Sequence, residues 1–281
     1  MPEQVVAVLG AGGWLGRAIL RVAAADAAFG DWRVIGLEGE SLLQGLDALQ
    51  GSLIQGEGPG TVVNAVGRRQ GSEGALIESN VRFVEDLAAW AQLSGWQVLQ
   101  VGSAAEYGPG RSEPFSEVDE PHPISLYGRS KLDATEALSG LLGASRSCVG
   151  RLFNVLGPNP PRGSVAEDIR AKMQEAQETG KAPELTCPDT VRDFLLLDDA
   201  ARLLLALIPT IGGHQVVNVC SGQGLSWRQI ANTVCMPLAS APQRGVDCAP
   251  DVVVGNPRLL HSLVHAPAPP SPRSLALSLL R

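Results

Sequence analysis

The stretch VVAVLGAGGWLGRAIL, residues 5–20, decides the fold. Its opening is a short apolar run with strand character, it passes directly into glycines, and WLGRAIL resumes with helical spacing. Gly10, Gly13 and Gly16 form a G-x-x-G-x-x-G series, with Gly12 as an extra glycine. A backbone without Cβ atoms turns tightly and lets a pyrophosphate come close. The helix that opens after Gly13 offers free N–H groups and the positive end of its dipole. In this strand–turn–helix setting the series predicts dinucleotide binding through Gly10, Gly13, Trp14, Leu15 and Gly16. The competing reading is that small residues only let a helix pack closely on a sheet.

The same alternation continues outward. WRVIGLEG (residues 32–39) is a second strand, and TVVNAVG (61–67) is a strand ending in a turn. NVRFVEDLAAWAQLSG (80–95) is an amphipathic helix closed by glycine. WQVLQVGS (96–103) is another strand, SLYGRSKLDATEALSGLLG (125–143) begins a long helix, and SCVGRLFNVLGP (147–158) reads as one further strand. Repeated strand–helix–strand units predict an α/β fold, a Rossmann-type doubly wound parallel sheet. After Pro158 the texture changes to a Pro/Gly-rich loop, a polar helix over residues 165–180, a strand and helix in VRDFLLLDDAARLLLALI (191–208), and a strand, turn and helix with Ser226 as N-cap. The expected organisation is a dinucleotide-binding part over residues 1–157, its sheet completed by 188–220. A smaller, mostly C-terminal substrate-binding part would take 158–187 and 221–281.

The 281 residues are 44% hydrophobic, enough for a large core, and carry a net charge of −7. That balance argues against nucleic acid as partner, because no basic field is present to hold a phosphate backbone. The five cysteines are scattered without a C-x-x-C pair, and are read as reduced thiols. The four histidines show no zinc-ligand grouping beyond the spacing of His261 and His265, so no metal is expected. No apolar stretch approaches the roughly 20 residues of a membrane span, and no signal peptide is visible, so a cytoplasmic protein is expected.

Three chemical pieces follow in order. Ser103 lies at the C-terminal end of a strand, Tyr127 and Lys131 share one face of the next helix about 6 Å apart in rise, and Asn154 lies on the strand after that. Ligands of open parallel sheets sit beyond the carboxyl ends of the strands, so these residues and the glycine turn converge on one crevice. Y-x-x-x-K alone is a weak signal that two ordinary surface side chains could supply. Glu38 ends the second strand at the offset of about 20 residues expected of a ribose-binding acid. A carboxylate there accepts from ribose hydroxyls and repels a 2′-phosphate, which favours NAD over NADP, with NADP still possible. Glu40 competes for the role.

The ordered set resembles the extended short-chain dehydrogenase/reductases, the NAD-dependent nucleotide-sugar epimerases, dehydratases and reductases. It comprises the glycine turn, NAVG (64–67), SNV around Asn80, GSAAEYG (102–108), YGRSK (127–131), FNVLGP (153–158), VRDFLLLDDAA (191–201) and DVVVGNPRLL (251–260), nearly the whole chain. The resemblance implies that Tyr127 is the general acid/base and that Ser103 hydrogen-bonds the reacting oxygen. Lys131 would hold the nicotinamide ribose and, with the positive nicotinamide, pull the phenol from near 10 toward neutrality. Ala65, Val66 and Gly67 would line the cofactor, and Asn154 and Arg192 would hold the substrate diphosphate. For Arg192 the plain alternative is an ion pair with Asp193 or Asp198.

Departures narrow the reading. The family's dehydratases follow the Ser/Thr with an Asp-Glu pair, and here those places hold Ala104 and Ala105. Glu106 resembles the keto-deoxysugar reductases instead. The run over residues 41–61 is short for the family, so a helix or strand is expected to be missing beside the adenine pocket. The late acid matched to Asp251 lacks the nearby arginine of the family; either Arg244 substitutes or the diphosphate contacts are fewer. The expected activity is hydride transfer at carbon 4 of a nucleotide-activated sugar, as a 4-ketoreductase or as a 4-epimerase with retained NAD, in a homodimer. A non-sugar ketone reductase and a non-catalytic nucleotide sensor are the other classes; an intact Ser103, Tyr127 and Lys131 set speaks against the sensor.

Overall fold

The computed structural model describes residues 4–38, 42–51, 59–183, 185, 187–234 and 251–281. β1 (Gln4–Leu9) leads through the glycine turn into α1 (Trp14–Ala25), followed by β2 (Trp32–Leu37), α2 (Leu42–Gly51), β3 (Thr61–Asn64), α3 (Glu73–Ile77), a π-helical turn (Glu78–Arg82) and α4 (Phe83–Ser94). Next come β4 (Gln97–Ser103), α5 (Leu126–Arg146), β5 (Ser147–Leu152), β6 (Asn154–Leu156), α6 (Val165–Thr179), β7 (Val191–Leu196) and α7 (Leu197–Leu207). The chain ends with β8 (Val216–Val219), β9 (Gly224–Ser226), α8 (Trp227–Ala231), β10 (Val252–Val253), α9 (Arg258–Leu263) and α10 (Pro272–Leu280).

Six strands form a parallel sheet in the order β2-β1-β3-β4-β5-β8. β1 displays the period of a strand buried on both faces. Val6 and Val8 pack with Ile19 and Val22 of α1 and Leu203 and Leu204 of α7, while Val5, Ala7 and Leu9 pack with Leu46, Leu87 and Leu138 of α2, α4 and α5. This is the doubly wound α/β fold expected from the alternating pattern. The strand order reverses at β1, between β2 and β3, so the crevice opens at the glycine turn.

A four-stranded sheet joins β10-β7-β6, with β9 antiparallel on β7. The apolar run 147–158 is therefore two strands, not one. β5 stays in the large sheet, and after the single residue Phe153 the chain enters β6 in the small one. Of residues 188–220, β8 joins the large sheet and β7 the small one. The small sheet packs through Leu156 and Phe194 onto Ile169 and Met173 of α6, Trp227 and Ile230 of α8, and Leu275 and Leu279 of α10. Ser226 caps α8 in a capping box with Gln229. The loop after β4 stitches the two sheets together: Arg111 N donates to Val252 O at 2.9 Å and Phe115 N to Val254 O at 2.8 Å.

Two further expectations need correction. The short 41–61 run holds α2, whose Leu46 is fully buried, so a helix is present there. Cys187 is disulfide-bonded, whereas Cys148 and Cys220 are free and buried. Spacing along the chain carries no information about which thiols folding brings together. Burial pushes the Cys148 thiol up to about 12 and Cys220 up as well, so neither is a reactive thiolate. Among the described residues no helix is long and apolar enough to cross a membrane.

Candidate active site

The glycine turn is built by backbone contacts that side chains would block. Gly10 has φ +77°, and a Cβ there would sit 3.2 Å from the Ala65 carbonyl and the Val66 amide of the neighbouring strand end. A Cβ on Gly16 would collide with the Gly10 carbonyl oxygen, so α1 can only approach the turn this closely with glycine at that position. Gly13 is the N-cap of α1 and supplies no side-chain cap. The first amides of the helix, at Trp14, Leu15 and Gly16, are those an α-helical ladder leaves without intrahelical partners. The exposed Glu38 at the end of β2 leans over the turn, and a Cβ on Gly12 would strike its Oε2. A bare cradle at a helix N-terminus, with a carboxylate at its rim, fits the diphosphate and a ribose of a dinucleotide. Glu40, like Arg244, lies outside the described residues.

The strand next to it completes the cradle. Ala65 N donates to Leu9 O at 3.1 Å, and Val66 N to Asn64 Oδ1 at 3.0 Å. A Cβ on Gly67 would lie 3.7 Å from Lys131 Nζ, so the turn after β3 and the helix α5 meet at this glycine. Asn80, which the sequence reading noted without assigning to the site, fixes that turn. It accepts from Arg68 N at 2.7 Å, donates to Arg68 O at 2.9 Å and reaches Ser130 Oγ at 2.9 Å. It sits in the π-helical turn, a distortion often found at functional sites.

Tyr127 lies in the first turn of α5, which Ser125 caps by accepting from Gly128 N at 3.0 Å. Its phenol lies within reach of the Ser103 hydroxyl at the end of β4, whose Oγ accepts from Ala105 N at 3.2 Å. Burial raises the phenol above its usual range; the Ser103 hydroxyl and the Arg69 charge oppose the rise, and the Glu106 charge adds to it. Lys131 is 4% exposed and donates to Val101 O at 2.6 Å. Burial brings its ammonium down to about 8, against the pull of Glu106. Desolvation disfavours the phenolate, and the ammonium is turned to a backbone carbonyl.

Ser103, Tyr127, Lys131 and Gly67 are thus brought together beside the glycine turn. Asn154 and Arg192 sit apart on the small sheet. Asn154 Nδ2 donates to Asp193 O at 3.2 Å. Arg192 pairs with Asp251, donating to its carboxylate and, at 2.8 Å, to its carbonyl. Its acid partner is therefore neither Asp193 nor Asp198, because the parallel pairing of β7 with β10 sets residue 251 beside it. Asp193 is instead fully buried under Ser221 and the Gly222 amide. A loop roofs the crevice: Trp14 Nε1 donates to Pro158 O at 2.8 Å and Gln70 Nε2 to Gly163 O at 2.9 Å.

A family model described as the NAD dependent epimerase/dehydratase family matches residues 6–220, and the chain belongs to that family. The resemblance to extended short-chain dehydrogenase/reductases therefore holds, and the protein is an NAD(P)-dependent enzyme. It is 31% identical over 251 residues to dTDP-6-deoxy-L-talose 4-dehydrogenase (NAD(P)(+)) of Kitasatospora kifunensis, covering 80% of this chain and 76% of that one. ADP-L-glycero-D-manno-heptose-6-epimerase of Nitratidesulfovibrio vulgaris is 29% identical over 181 residues, 59% of this chain and 55% of that one. Among solved structures, RMD from Pseudomonas aeruginosa complexed with NADPH aligns with a TM-score of 0.81 at 23% identity over 99% of this chain and 98% of that one. A dTDP-4-dehydrorhamnose reductase from Clostridium acetobutylicum aligns with a TM-score of 0.75 at 18% identity, covering 98% of each chain. These structures support the fold.

Proposed function

We propose that the protein is a ketoreductase that reduces carbon 4 of a nucleotide-activated keto-deoxysugar. The observation that carries this reading is the placing of the Tyr127 phenol beside the Ser103 hydroxyl at the strand end, with Lys131 one turn further along α5: a phenol whose burial favours the protonated form, available to a carbonyl oxygen. The curated 4-dehydrogenase relative supports carbon 4 and a nucleotide sugar. The alanines at 104 and 105 leave no acid pair there for elimination of water.

Bound NAD(P)H supplies the hydride. Ser103 donates to the carbonyl oxygen and shares its developing charge. Tyr127 transfers its phenolic proton to that oxygen as the carbon is reduced, which leaves an alcohol and a phenolate to be reprotonated from solvent. Lys131 and the Gly67 turn hold the nicotinamide ribose, and Gly10, Gly13, Trp14, Leu15 and Gly16 the pyrophosphate. Glu38 takes the adenosine ribose and directs the choice toward NAD, with Ala65 and Val66 lining the crevice. Asn154 and Arg192 face the diphosphate side, where Arg192 turns part of its fork from Asp251 to the ligand. Residues 158–187 and 221–281 form the substrate part. A cytoplasmic homodimer completes the reading; Leu93 and Leu141, exposed on the adjoining helices α4 and α5, suit self-association.

The test is to denature the purified protein, identify any released nucleotide, and assay NADH consumption with a dTDP-4-keto-6-deoxysugar. An empty site and stoichiometric NADH oxidation support the reductase. Tightly held NAD with interconversion of nucleotide sugars and no net NADH consumption would make the protein a 4-epimerase.

A further inference from the structure

Behind the Ser103–Tyr127–Lys131 site lies a carboxylate with no role in the mechanism above. Glu106 is fully buried. Its Oε1 accepts from Ser103 N at 2.8 Å, and its Oε2 accepts from Arg151 Nε at 2.8 Å. The Thr135 hydroxyl lies 3.0 Å from the same Oε2 and 3.1 Å from the carbonyl oxygen of Lys131, one helical turn earlier. A Cβ on Gly102 would come within 2.8 Å of Oε1, so glycine at that position makes room for the acid. Arg151 in turn lies over the Tyr107 ring, 4.6 Å from its centroid.

We propose that Glu106 is a positioning residue of this site: enclosed between β4, α5 and β5, its carboxylate locks the Ser103 backbone and supplies the counter-charge that keeps Lys131 an ammonium ion. Three observations converge. The capping box from Ser103 to Glu106 fixes the strand end that presents the Ser103 hydroxyl. Among the described residues no carboxylate touches the Lys131 ammonium, whose direct partner is the neutral Val101 carbonyl, so a buried cation depends on a charge one shell away. A buried ion pair gains little stability over apolar side chains of similar volume, so the Glu106–Arg151 pair is poorly explained as a stabiliser alone.

Among the described residues the groups facing Tyr127 and Lys131 are few. They are Ser103 and Glu106 from the end of β4, Arg69 from the loop after β3, and, behind Glu106, Arg151 of β5 with Tyr107. The π-helical turn and α5 present the neutral Asn80 and Ser130. Removing the negative charge therefore leaves the buried Lys131 ammonium, among the described residues, with the neutral Val101 carbonyl and no counter-charge. The sign is fixed: Lys131 must then release its proton at lower pH.

The chain has three lysines, Lys131, Lys172 and Lys181, which makes the test direct. Lysine side chains are isotopically labelled in the full chain and titrated by NMR, with the Lys131 signal assigned by its loss in Lys131→Met. The wild-type midpoint should fall near 8. In Glu106→Gln it should drop by about one pH unit or more. Because that variant strands Arg151, Glu106→Gln/Arg151→Met is measured beside it and should also titrate below wild type, by less than the single variant because a more distant cation leaves with the acid. A double variant that titrates like wild type would overturn the proposal, since the pair would then be electrically silent at Lys131. Failure of both variants to fold would also overturn it and make Glu106 a strut of the fold. The proposal rests on the catalytic reading of Tyr127 and Lys131. Its readout needs neither nucleotide nor sugar, so a wrong substrate assignment leaves the result unaffected.

Discussion

At the scale of single residues, Tyr127 and Lys131 have unequal costs to the fold. Tyr127→Phe deletes one hydroxyl and keeps the ring, so folding and dinucleotide binding should survive while turnover falls at least about a hundredfold. Stopped assays against NADH binding separate the two, and turnover within a few-fold of wild type would remove Tyr127 from the chemistry. Lys131 behaves differently because its ammonium is buried. Its proton is held more weakly in the folded chain, at about 8, than at the ordinary 10.5. Folding therefore releases a proton between those values, and stability should rise as pH climbs from about 8 toward 10.5, with a penalty of about 3 kcal/mol below that window. Lys131→Met removes the penalty and gives up a hydrogen bond worth about 1 kcal/mol, so the ligand-free midpoint at neutral pH should rise by a few degrees while activity is lost. A fall in the calorimetric midpoint would contradict this. Glu38→Ala should weaken NADH binding and improve the relative use of NADPH, read from kcat/KM for each; a wild-type preference for NADPH would show that Glu38 does not face the ribose. Both the Tyr127–Lys131 pair and Glu38 were legible in the sequence, because each depends on local spacing or on one strand end. The carbonyl partner of Lys131 and the Asp251 partner of Arg192 were not. They are set by residues 30 and 59 positions away that only the folded sheets bring near.

At the scale of elements, the strand–turn–helix unit at the start of the chain is the most legible piece, since its strand, glycines and helix are contiguous. Its tolerance should be correspondingly low. Gly16→Ala places a methyl against the Gly10 carbonyl, which neither the turn nor α1 can move away from cheaply. We expect a loss of about 1–3 kcal/mol in thermal or urea unfolding and a weaker NADH complex by fluorescence titration. Unchanged affinity would mean that the turn is only a packing device. The run 147–158 misled for the opposite reason. It is apolar throughout, and hydrophobicity alone cannot reveal that Phe153 separates two strands with different neighbours. α2 was overlooked because the shortness of residues 41–61 suggested a missing element, whereas the buried Leu46 and Leu42 are enough to seat a short helix on the sheet.

At the scale of the whole molecule, the glycine turn, Ser103 and Tyr127 stand on the large sheet and its helices, and Asn154 and Arg192 on the small one, which the proposed function reads as a dinucleotide side and a diphosphate side. A nucleoside diphosphate added under saturating NAD should therefore slow hydrogen exchange across residues 158–187 and around Arg192, with little change in β1. Protection in neither region would favour a ketone substrate without a nucleotide. The general architecture followed from the alternation of patterns along the chain. The division of labour between the sheets did not, because it is a matter of which strands pair. The passage from one sheet to the other at Phe153 bears on how such an enzyme can be recombined with its relatives. A chimera that exchanges the small sheet must keep the single-residue spacing between Leu152 and Asn154. Side chains alternate along an extended chain, so one inserted residue would turn Asn154 and every following position of β6 to the opposite face. The crossover is a junction with a fixed reading frame, and grafts that respect it should keep the new specificity in register with the old catalytic centre.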